Sequence, residues 1–273
     1  MSVALATAET FSSPTFNFIQ YPKANGTALF GVSNHNFGVG VYLDSSGNQH
    51  GFTVTSSRDF ITLDNPNGTT YLEAVNSSGT IVGYYIDSSN NYFAFSYANG
   101  VFTNIGPPGG SQTLAYGIND DGVISGEYID ASTGLDEGWL LDGGNYETVL
   151  SPQSGEPALV FGTNVNGIST VQWEGTDGDV ESSTYNGTTY TTENVPGAIN
   201  SYIHGIDAAR DAVYSWTDSS GNFHGALLTG GKFKTFNAPG CTGTYADGIN
   251  DPHVIVGVCT KTGHPNIGFY VTY

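Results

Sequence analysis

A motif that recurs six times along the chain constrains its fold more than any other feature. The third copy is the clearest and reads AYGINDDGVISG, from Ala115 to Gly126. Its Gly117 aligns with one residue in each of the other copies: Gly31, Ala74, Gly162, Gly205 and Gly248. Successive copies are separated by 43, 43, 45, 43 and 43 residues. A period of about 40 to 45 residues is typical of repeats that each contribute one four-stranded sheet.

Each copy contains four short segments with strand character. In the third copy, the turn Asn119–Gly122 carries Asn and Gly where a tight hairpin needs them, and it separates the first strand from the second. The third strand opens with a glycine, as at Gly138, and the fourth begins with an aromatic residue, as at Tyr146. No stretch shows helical periodicity over more than about two turns, which predicts an all-β chain.

Six such units predict a six-bladed β-propeller of four-stranded blades, because sheets stacked around an axis bury both faces and leave only short edges. We expect one propeller over residues 15–273, preceded by an N-terminal tail at residues 1–14. The predicted blades span roughly 26–66, 67–109, 110–153, 154–197, 198–240, and 241–273 together with 15–22.

The two ends of the chain predict how the ring closes. The sixth copy stops after a third strand at Gly268–Tyr273 and has no fourth strand there. The N-terminal segment Phe16–Pro22 has the same form as the fourth strand at Phe233–Pro239, with an aromatic residue and a proline six residues apart in both. We therefore expect the N-terminal segment to supply the last strand of blade six and to close the ring.

The charge of the chain limits its partners. It has 6 Lys and Arg residues against 25 Asp and Glu residues, a formal net charge of −19. Such a surface repels phosphate backbones and anionic lipid, which argues against binding to nucleic acid or to a membrane. The start lacks the pattern of a signal peptide. Few lysines and many Ser, Thr, Asn and Gly residues still favour a secreted protein whose signal peptide is absent from this sequence. The oligomeric state stays open.

The two cysteines occupy related positions in the sixth repeat. Cys259 falls in a column that holds an aromatic residue in the other copies: Tyr42, Tyr85, Tyr128, Trp173 and Trp216. Cys241 lies just before the first strand of the same repeat, and in a secreted protein this arrangement predicts a disulfide. Regular hairpin pairing would place Cys241 opposite residue 262, so the bridge requires a bulge or a splayed strand end. Two buried free thiols are the alternative. Without a CxxC pair, we predict no metal site and no cofactor.

Three segments of the repeat carry a resemblance to a known family: Gly117–Gly126, Asp44–Phe52 and Phe102–Gly109. Their pattern resembles that of the extracellular HAF-repeat proteins of bacteria, and the resemblance covers the chain from Phe16 to Tyr273. It implies a propeller-like scaffold and secretion, and it carries no catalytic signature. Blade four departs most from the pattern, because Val171–Glu174 replaces the glycine-rich end of the second strand.

The first strand of each repeat should be innermost and line the central channel, which is the largest concavity of a propeller. The residue before the aligned glycine then forms a ring around the channel: Phe30, Glu73, Tyr116, Phe161, His204 and Asp247. Two residues upstream, a second ring includes three tyrosines: Tyr71, Tyr202 and Tyr245. Aromatic faces and carboxylates together suit a neutral polar ligand such as a sugar.

Three classes of function fit this pattern. The favoured one is a secreted module that binds a small polar ligand, carbohydrate first, at the channel mouth or between blades. Its binding residues would be Tyr71, Tyr116, Tyr202, Tyr245, Phe30 and Phe161.

The second class is an enzyme, a lyase, isomerase or hydrolase, in which His204, Asp247 and Glu73 transfer protons. A His204–Asp247 pair on adjacent blades would raise the pKa of the histidine toward neutrality. The simpler reading of these three residues is that they are polar substitutions in a solvated pore, held by neighbouring backbone groups. The third class is a structural or protein-binding scaffold.

Overall fold

A computed structural model describes residues 13–153 and 157–272 of the chain. These residues form six antiparallel sheets of four strands each. Every regular element in these two ranges is a strand, so they hold no helix that could cross a membrane. The tail expected at residues 1–14 lies outside the described residues except for its last two positions.

The strands are numbered in chain order, and the first one, β1 (Thr15–Ile19), belongs to blade six. Blade one contains β2 (Gly26–Val32), β3 (Gly38–Leu43), β4 (Gln49–Val54) and β5 (Phe60–Thr62). Blade two contains β6 (Thr69–Val75), β7 (Ile81–Ile86), β8 (Tyr92–Ala98) and β9 (Val101–Asn104). Blade three contains β10 (Gly110–Ile118), β11 (Ile124–Asp130), β12 (Asp136–Asp142) and β13 (Asn145–Val149). Blade four contains β14 (Ala158–Thr163), β15 (Ser169–Glu174), β16 (Val180–Tyr185) and β17 (Tyr190–Thr192). Blade five contains β18 (Asn200–Ile206), β19 (Ala212–Thr217), β20 (Phe223–Thr229) and β21 (Lys232–Phe236). Blade six contains β22 (Gly243–Ile249), β23 (Ile255–Lys261), β24 (His264–Thr272) and β1.

The ring closes as the sequence predicts. Strand β1 pairs antiparallel with β24 over five residues, from Thr15 opposite Thr272 to Ile19 opposite Gly268. The innermost strands β2, β6, β10, β14, β18 and β22 each contact the innermost strand of both neighbouring blades. The chain is therefore a six-bladed β-propeller of four-stranded blades, and its N-terminal strand completes blade six.

A β-bulge interrupts the innermost hairpin of all six blades at the same place. In blade one, Leu29 pairs with Gly40 and Gly31 pairs with Val39, which leaves Phe30 as the extra, unpaired residue. The pairing shifts at the corresponding point in every other blade. A bulge redirects the side chain of the extra residue. In five blades that residue is the one before the aligned glycine or alanine, and in blade five the irregularity spans His204 and Gly205.

The aligned glycine allows the innermost strands of adjacent blades to approach each other closely. A Cβ atom on Gly31 would lie 2.6 Å from the carbonyl oxygen of Glu73, and one on Gly117 would lie 2.5 Å from that of Phe161. Both distances are too short for real contacts, so a side chain would push neighbouring blades apart. This close approach explains why glycine recurs at the third position of the motif.

The hydrophobic core lies between the blades. One residue of each innermost strand is fully buried there, two positions before the aligned glycine: Leu29, Leu72, Ala115, Val160, Ile203 and Ala246. Aromatic residues of the outer strands fill the wider space further from the axis, and Trp139 is fully buried with its indole N–H donating to the carbonyl of Glu127 at 3.0 Å. Burial of large aromatic side chains supplies much of the stability of such a core.

The predicted disulfide between Cys241 and Cys259 is present, with 5.5 Å between the two Cα atoms. Strand pairing places Gly243 opposite Thr260, so regular pairing would indeed carry Cys241 past Cys259. The bridge forms because Cys241 lies in the turn before β22, where its N–H donates to the carbonyl of Ala238 at 3.2 Å. The disulfide thus ties this turn to the second strand of blade six.

We expect the Cys241→Ala/Cys259→Ala variant to lose about 3 kcal/mol of unfolding free energy, because the bridge closes a loop of 18 residues and restricts the unfolded chain. Urea unfolding of the oxidised parent and of the variant measures the difference. The reduced parent serves as the control and should unfold like the variant. Equal midpoints for the variant and the oxidised parent would contradict a stabilising role.

Candidate functional site

The central channel holds a cavity of about 290 Å³. All six residues of the predicted inner ring line it: Phe30, Glu73, Tyr116, Phe161, His204 and Asp247. The bulges place these side chains there, because each bulged residue leaves the ladder at the strand edge that faces the axis. Tyr71, Tyr84 and Thr163 complete the polar and aromatic part of the lining. The residues of the inner ring therefore converge on one concave site.

Side chains close the channel at the end where the innermost hairpins turn. Asn34 of blade one donates its amide to Asp120 of blade three at 3.0 Å and to Asp251 of blade six at 2.6 Å. Asp120 also accepts from the backbone N–H of Ser77 at 2.7 Å, and Asp251 accepts from that of Ala208 at 2.9 Å. Only about 70 Å³ of space remains among these turns. The cavity is thus a well, with its floor at the turns and its mouth at the opposite end.

Aromatic rings are stacked in two pairs on the wall of the well. Tyr71 stacks on Tyr84 with 4.4 Å between ring centroids, and Tyr116 stacks on Phe161 with 4.6 Å. The hydroxyl of Tyr116 donates to a carboxylate oxygen of Glu127 at 2.6 Å, which fixes the ring. Stacking and this hydrogen bond hold the rings in place without a ligand, so the wall is preorganised for a flat apolar face.

Two carboxyl groups in the well have strongly raised pKa values. Burial raises the pKa of Glu73 to about 8, and the nearby charge of Asp247 adds to this shift. Burial also raises the pKa of Asp247 to about 8. Both groups are therefore largely protonated at neutral pH and can donate as well as accept hydrogen bonds. Among the described residues, one side-chain oxygen of Asp247, Oδ2, is buried without any hydrogen-bond partner.

His204 does not behave as the sequence analysis expected. Burial lowers its pKa to about 4, whereas pairing with Asp247 would have raised it. Its ring instead makes a T-shaped contact with the ring of Phe161, with 5.0 Å between centroids. The imidazole is therefore neutral at physiological pH, and the electrostatic partner of Asp247 in the well is Glu73 of blade two.

A second cavity of about 400 Å³ opens beside the well between blades six and one. It shares Phe30, Tyr71 and Asp247 with the well, and Tyr245 lies in its lining. Tyr202 lines neither cavity, although it occupies the same position of its repeat as Tyr71. Its ring stacks on Phe223 with 5.9 Å between centroids, and Phe223 stacks in turn on Tyr245. The predicted tyrosines therefore divide between the two cavities and a surface stack.

Two residues of the site were missed by the sequence analysis, Tyr84 and Glu127. Both lie on the second strand of their blades, directly after a glycine, where the other copies carry Val41, Gln172, Ser215 and Val258. In the hairpin register Tyr84 pairs with Tyr71, and Glu127 pairs with Leu114. Residues that pair in a hairpin point to the same face of the sheet, so this column lies on the same face as the second ring, which includes Tyr71. Pairing the first and second predicted strands of each repeat could therefore have identified Tyr84 and Glu127.

No protein-family model matches the chain, and no curated protein matches it in sequence. Its structure is similar to that of SapL1 lectin in complex with α-methyl fucoside, with a TM-score of 0.60, 11% identity and coverage of 92% of this chain and 94% of the lectin. A lectin of Aleuria aurantia in complex with α-methyl-L-fucoside gives a TM-score of 0.56 at 10% identity, covering 92% and 96% of the two chains. A neuraminidase-like protein from a flat-faced bat isolate gives 0.52 at 11% identity, covering 94% and 93%. Similarity at this level of identity shows that the chain shares a propeller fold with these proteins.

Proposed function

We propose that this protein is a secreted carbohydrate-binding module whose central well holds a neutral sugar. The observation that carries the proposal is the composition of the well: stacked aromatic rings stand beside a buried carboxyl oxygen of Asp247 that has no partner among the described residues. The volume of about 290 Å³ lies just below the usual range for small-molecule sites, about 300 to 1,000 Å³. It suits a ligand the size of one or two sugar units.

The lining of the well can bind both the apolar ring face of a sugar and its hydroxyl groups. The apolar face of a pyranose ring packs on an aromatic ring, and Tyr71 and Phe161 carry such rings on the wall. Sugar hydroxyls both donate and accept hydrogen bonds. The protonated carboxyls of Glu73 and Asp247 can both donate hydrogen bonds to sugar hydroxyls and accept them, because each has a donor O–H and an acceptor oxygen.

The charge of the well favours neutral over anionic sugars. Its lining contains Glu73 and Asp247 and neither lysine nor arginine, and the chain as a whole carries a net charge of −19. A carboxylate or sulfate on the ligand would meet no counter-charge there and would be repelled over longer distances. We therefore expect sialic and uronic acids to be excluded.

Two further observations support the proposal. SapL1 and the Aleuria aurantia lectin share the fold and bind α-methyl fucoside in their complexes, which makes this glycoside the first probe. The disulfide of blade six and the resemblance to HAF-repeat proteins are compatible with secretion, because disulfides persist in oxidising compartments.

We expect at least one neutral glycoside to bind, with a preference of about tenfold or more over an anionic sugar of similar size, since an anion that loses its hydration in a well without lysine or arginine loses about 1.4 kcal/mol or more. Calorimetric titration with α-methyl fucoside, methyl galactoside and N-acetylglucosamine measures this. N-acetylneuraminic acid and glucuronic acid are the anionic controls. Tighter binding of the acids, or no binding of any neutral sugar, would contradict the proposal.

Enzymatic turnover of the same ligand is the second candidate, because a carboxyl group protonated at neutral pH is what a general acid requires. Two interacting carboxyls in one well would allow one to donate a proton while the other accepts one. Mass spectrometry of each glycoside after incubation with the protein tests this. Conversion that is lost in Glu73→Gln and in Asp247→Asn would establish catalysis, and an unchanged glycoside would leave binding as the function.

A further inference from the structure

The hairpin turns at the floor of the well form a hydrogen-bonded ring, which we call the turn ring. Its members are the first residues of the six turns: Ser33, Asn76, Asn119, Asn164, Asp207 and Asn250. Each of the four asparagines donates its side-chain amide to the backbone carbonyl of the next member. These bonds are Asn76 to Asn119 at 3.2 Å, Asn119 to Asn164 at 3.1 Å, Asn164 to Asp207 at 2.9 Å and Asn250 to Ser33 at 2.8 Å. The amides thus link neighbouring blades.

Asp207 interrupts the turn ring between blades five and six. A carboxylate has no proton to donate to the carbonyl of Asn250, so the link that the asparagines make is missing here. Its Oδ1 accepts from the backbone N–H of Asp211 at 2.8 Å, as the asparagine oxygens do in their own turns. Its Oδ2 has no hydrogen-bond partner among the described residues, and the side chain is 0% exposed. A buried carboxylate oxygen without a partner lowers the stability of the fold, and a bound ligand would remove this cost.

Two further ligand groups surround this oxygen. Nδ1 of His253, from the turn of blade six, lies 3.6 Å from Oδ2 of Asp207 and 3.4 Å from Oδ2 of Asp211. All three ligand atoms lie within 4.8 Å of one another. His253 has a φ of 61°, and the corresponding position of three other turns is a glycine with positive φ: Gly79, Gly122 and Gly167. Asp211 likewise stands where no other turn carries a charge: Phe37, Thr80, Val123, Ile168 and Val254.

We propose that Asp207, Asp211 and His253 form a zinc site that joins blades five and six. Zinc binds carboxylate oxygen and imidazole nitrogen at about 2.0 to 2.2 Å in a tetrahedron, which places its ligand atoms about 3.3 to 3.6 Å apart. Two of the three distances in the cluster match this spacing. The carboxylate of Asp211, which is 11% exposed, can rotate to close the third. Solvent beside the half-exposed His253 supplies the fourth ligand.

The metal replaces the missing amide link. It takes the free oxygen of Asp207 as a ligand and connects the turn of blade five to that of blade six, as the asparagine amides connect four of the other five pairs of neighbouring blades. An imidazole together with two carboxylates favours zinc over magnesium and calcium, since these two cations prefer sets made of oxygen ligands alone.

Calorimetric titration of the untagged, EDTA-treated and dialysed full chain with zinc chloride tests the site. We expect one zinc ion to bind and to raise the unfolding temperature, because a ligand of the folded state stabilises it. Magnesium chloride at the same concentration should have no effect on the unfolding temperature. Absence of zinc binding by the parent overturns the proposal.

Two variants restore the pattern of the other blades and should fold well. His253→Gly returns the glycine of the positive-φ position, and Asp207→Asn returns the amide link to Asn250. Each should weaken zinc binding by about tenfold or more, since each removes one ligand of three. Without zinc, Asp207→Asn should unfold at the same temperature as the parent or above it.

His35→Ala is the matched control, because His35 is an exposed histidine in the equivalent turn of blade one. It should bind zinc as the parent does. Equal zinc affinity of the parent, His253→Gly and Asp207→Asn would show that zinc binds elsewhere, and that outcome also overturns the proposal. In that case the three side chains form only a contact between an imidazole and two carboxyl groups.

Discussion

The Glu73→Gln/Asp247→Asn variant should be more stable than the parent at pH 8, by an amount on the order of 3 kcal/mol. Both carboxyls have a pKa of about 8 in the folded protein, against ordinary values of 4.5 and 3.8. One pKa unit corresponds to about 1.4 kcal/mol, and water in the open well reduces the full effect. The amide side chains of the variant have the shape of the carboxyls but do not ionise, so the variant does not lose the free energy that burial of a charge costs.

The dependence of stability on pH follows from the direction of these shifts. Between the ordinary carboxyl pKa values and pH 8, the folded protein holds protons on Glu73 and Asp247 that the unfolded chain has released. Stability attributable to this pair is therefore complete below about pH 4 and is lost as the pH rises toward 8. His204 acts in the opposite direction. Its pKa is lowered from 6.5 to about 4, so its contribution rises with pH over that range and is then constant. The two effects oppose each other up to pH 6.5, and the steepest fall in stability should come between pH 6.5 and 8.

Urea unfolding of the parent and the variant at several pH values measures this effect. The variant should gain stability relative to the parent as the pH rises from 5 to 8. Asp142→Asn/Glu147→Gln, which changes two exposed acids of blade three, is the control for lost negative charge and should follow the parent. If the control and the well variant behaved alike, the gain would come from net charge, and the buried pair would not explain it.

Substitution of Ile19 by Asp should cost roughly 4 kcal/mol or more, because it buries a charge where the ring closes. Ile19 is 3% exposed and ends the pairing of β1 with β24. Its side chain packs with a cluster that joins blades six and one: Leu29, Val32, Phe52, Val54 and Val256. A loss of this size is a large part of the total stability of an ordinary protein, about 5 to 15 kcal/mol.

Asn17→Asp is the matched control, since Asn17 is an exposed residue of the same strand and the change adds the same charge. Urea unfolding of the three proteins should place the control within about 0.5 kcal/mol of the parent and the Ile19 variant far below it. A loss of less than about 1 kcal/mol for Ile19→Asp would mean that β1 adds little to the closed ring.

The fold could be predicted from the sequence because each repeat contains the same local pattern of strands, turns and glycines. A period of 43 to 45 residues determined the number of blades, and the match of Phe16–Pro22 to Phe233–Pro239 located the closing strand. Glycine at the third position of the motif could be aligned without any structure. The reason for it, the close approach of Gly31 to blade two, required the neighbouring blade.

The identity of the inner ring could also be predicted, but its chemistry could not. Register counting placed His204 beside Asp247, yet the pKa of a buried imidazole depends on how completely the surrounding chains exclude water. The bulges that direct the ring into the channel leave no mark in a single repeat. The closed floor depends on Asn34 reaching blades three and six, which are distant in sequence.

Calorimetric titration of Tyr71→Ala and Tyr202→Ala with the neutral glycoside that binds best tests the central claim most directly. The two tyrosines occupy the same position of their repeats, but only Tyr71 lines the well and the cavity beside it. If the ligand sits in the well, Tyr71→Ala should weaken binding by about tenfold or more, a loss of about 1.4 kcal/mol, and Tyr202→Ala should bind like the parent. Unchanged binding by Tyr71→Ala, or an equal loss in both variants, would contradict a carbohydrate site in the central well.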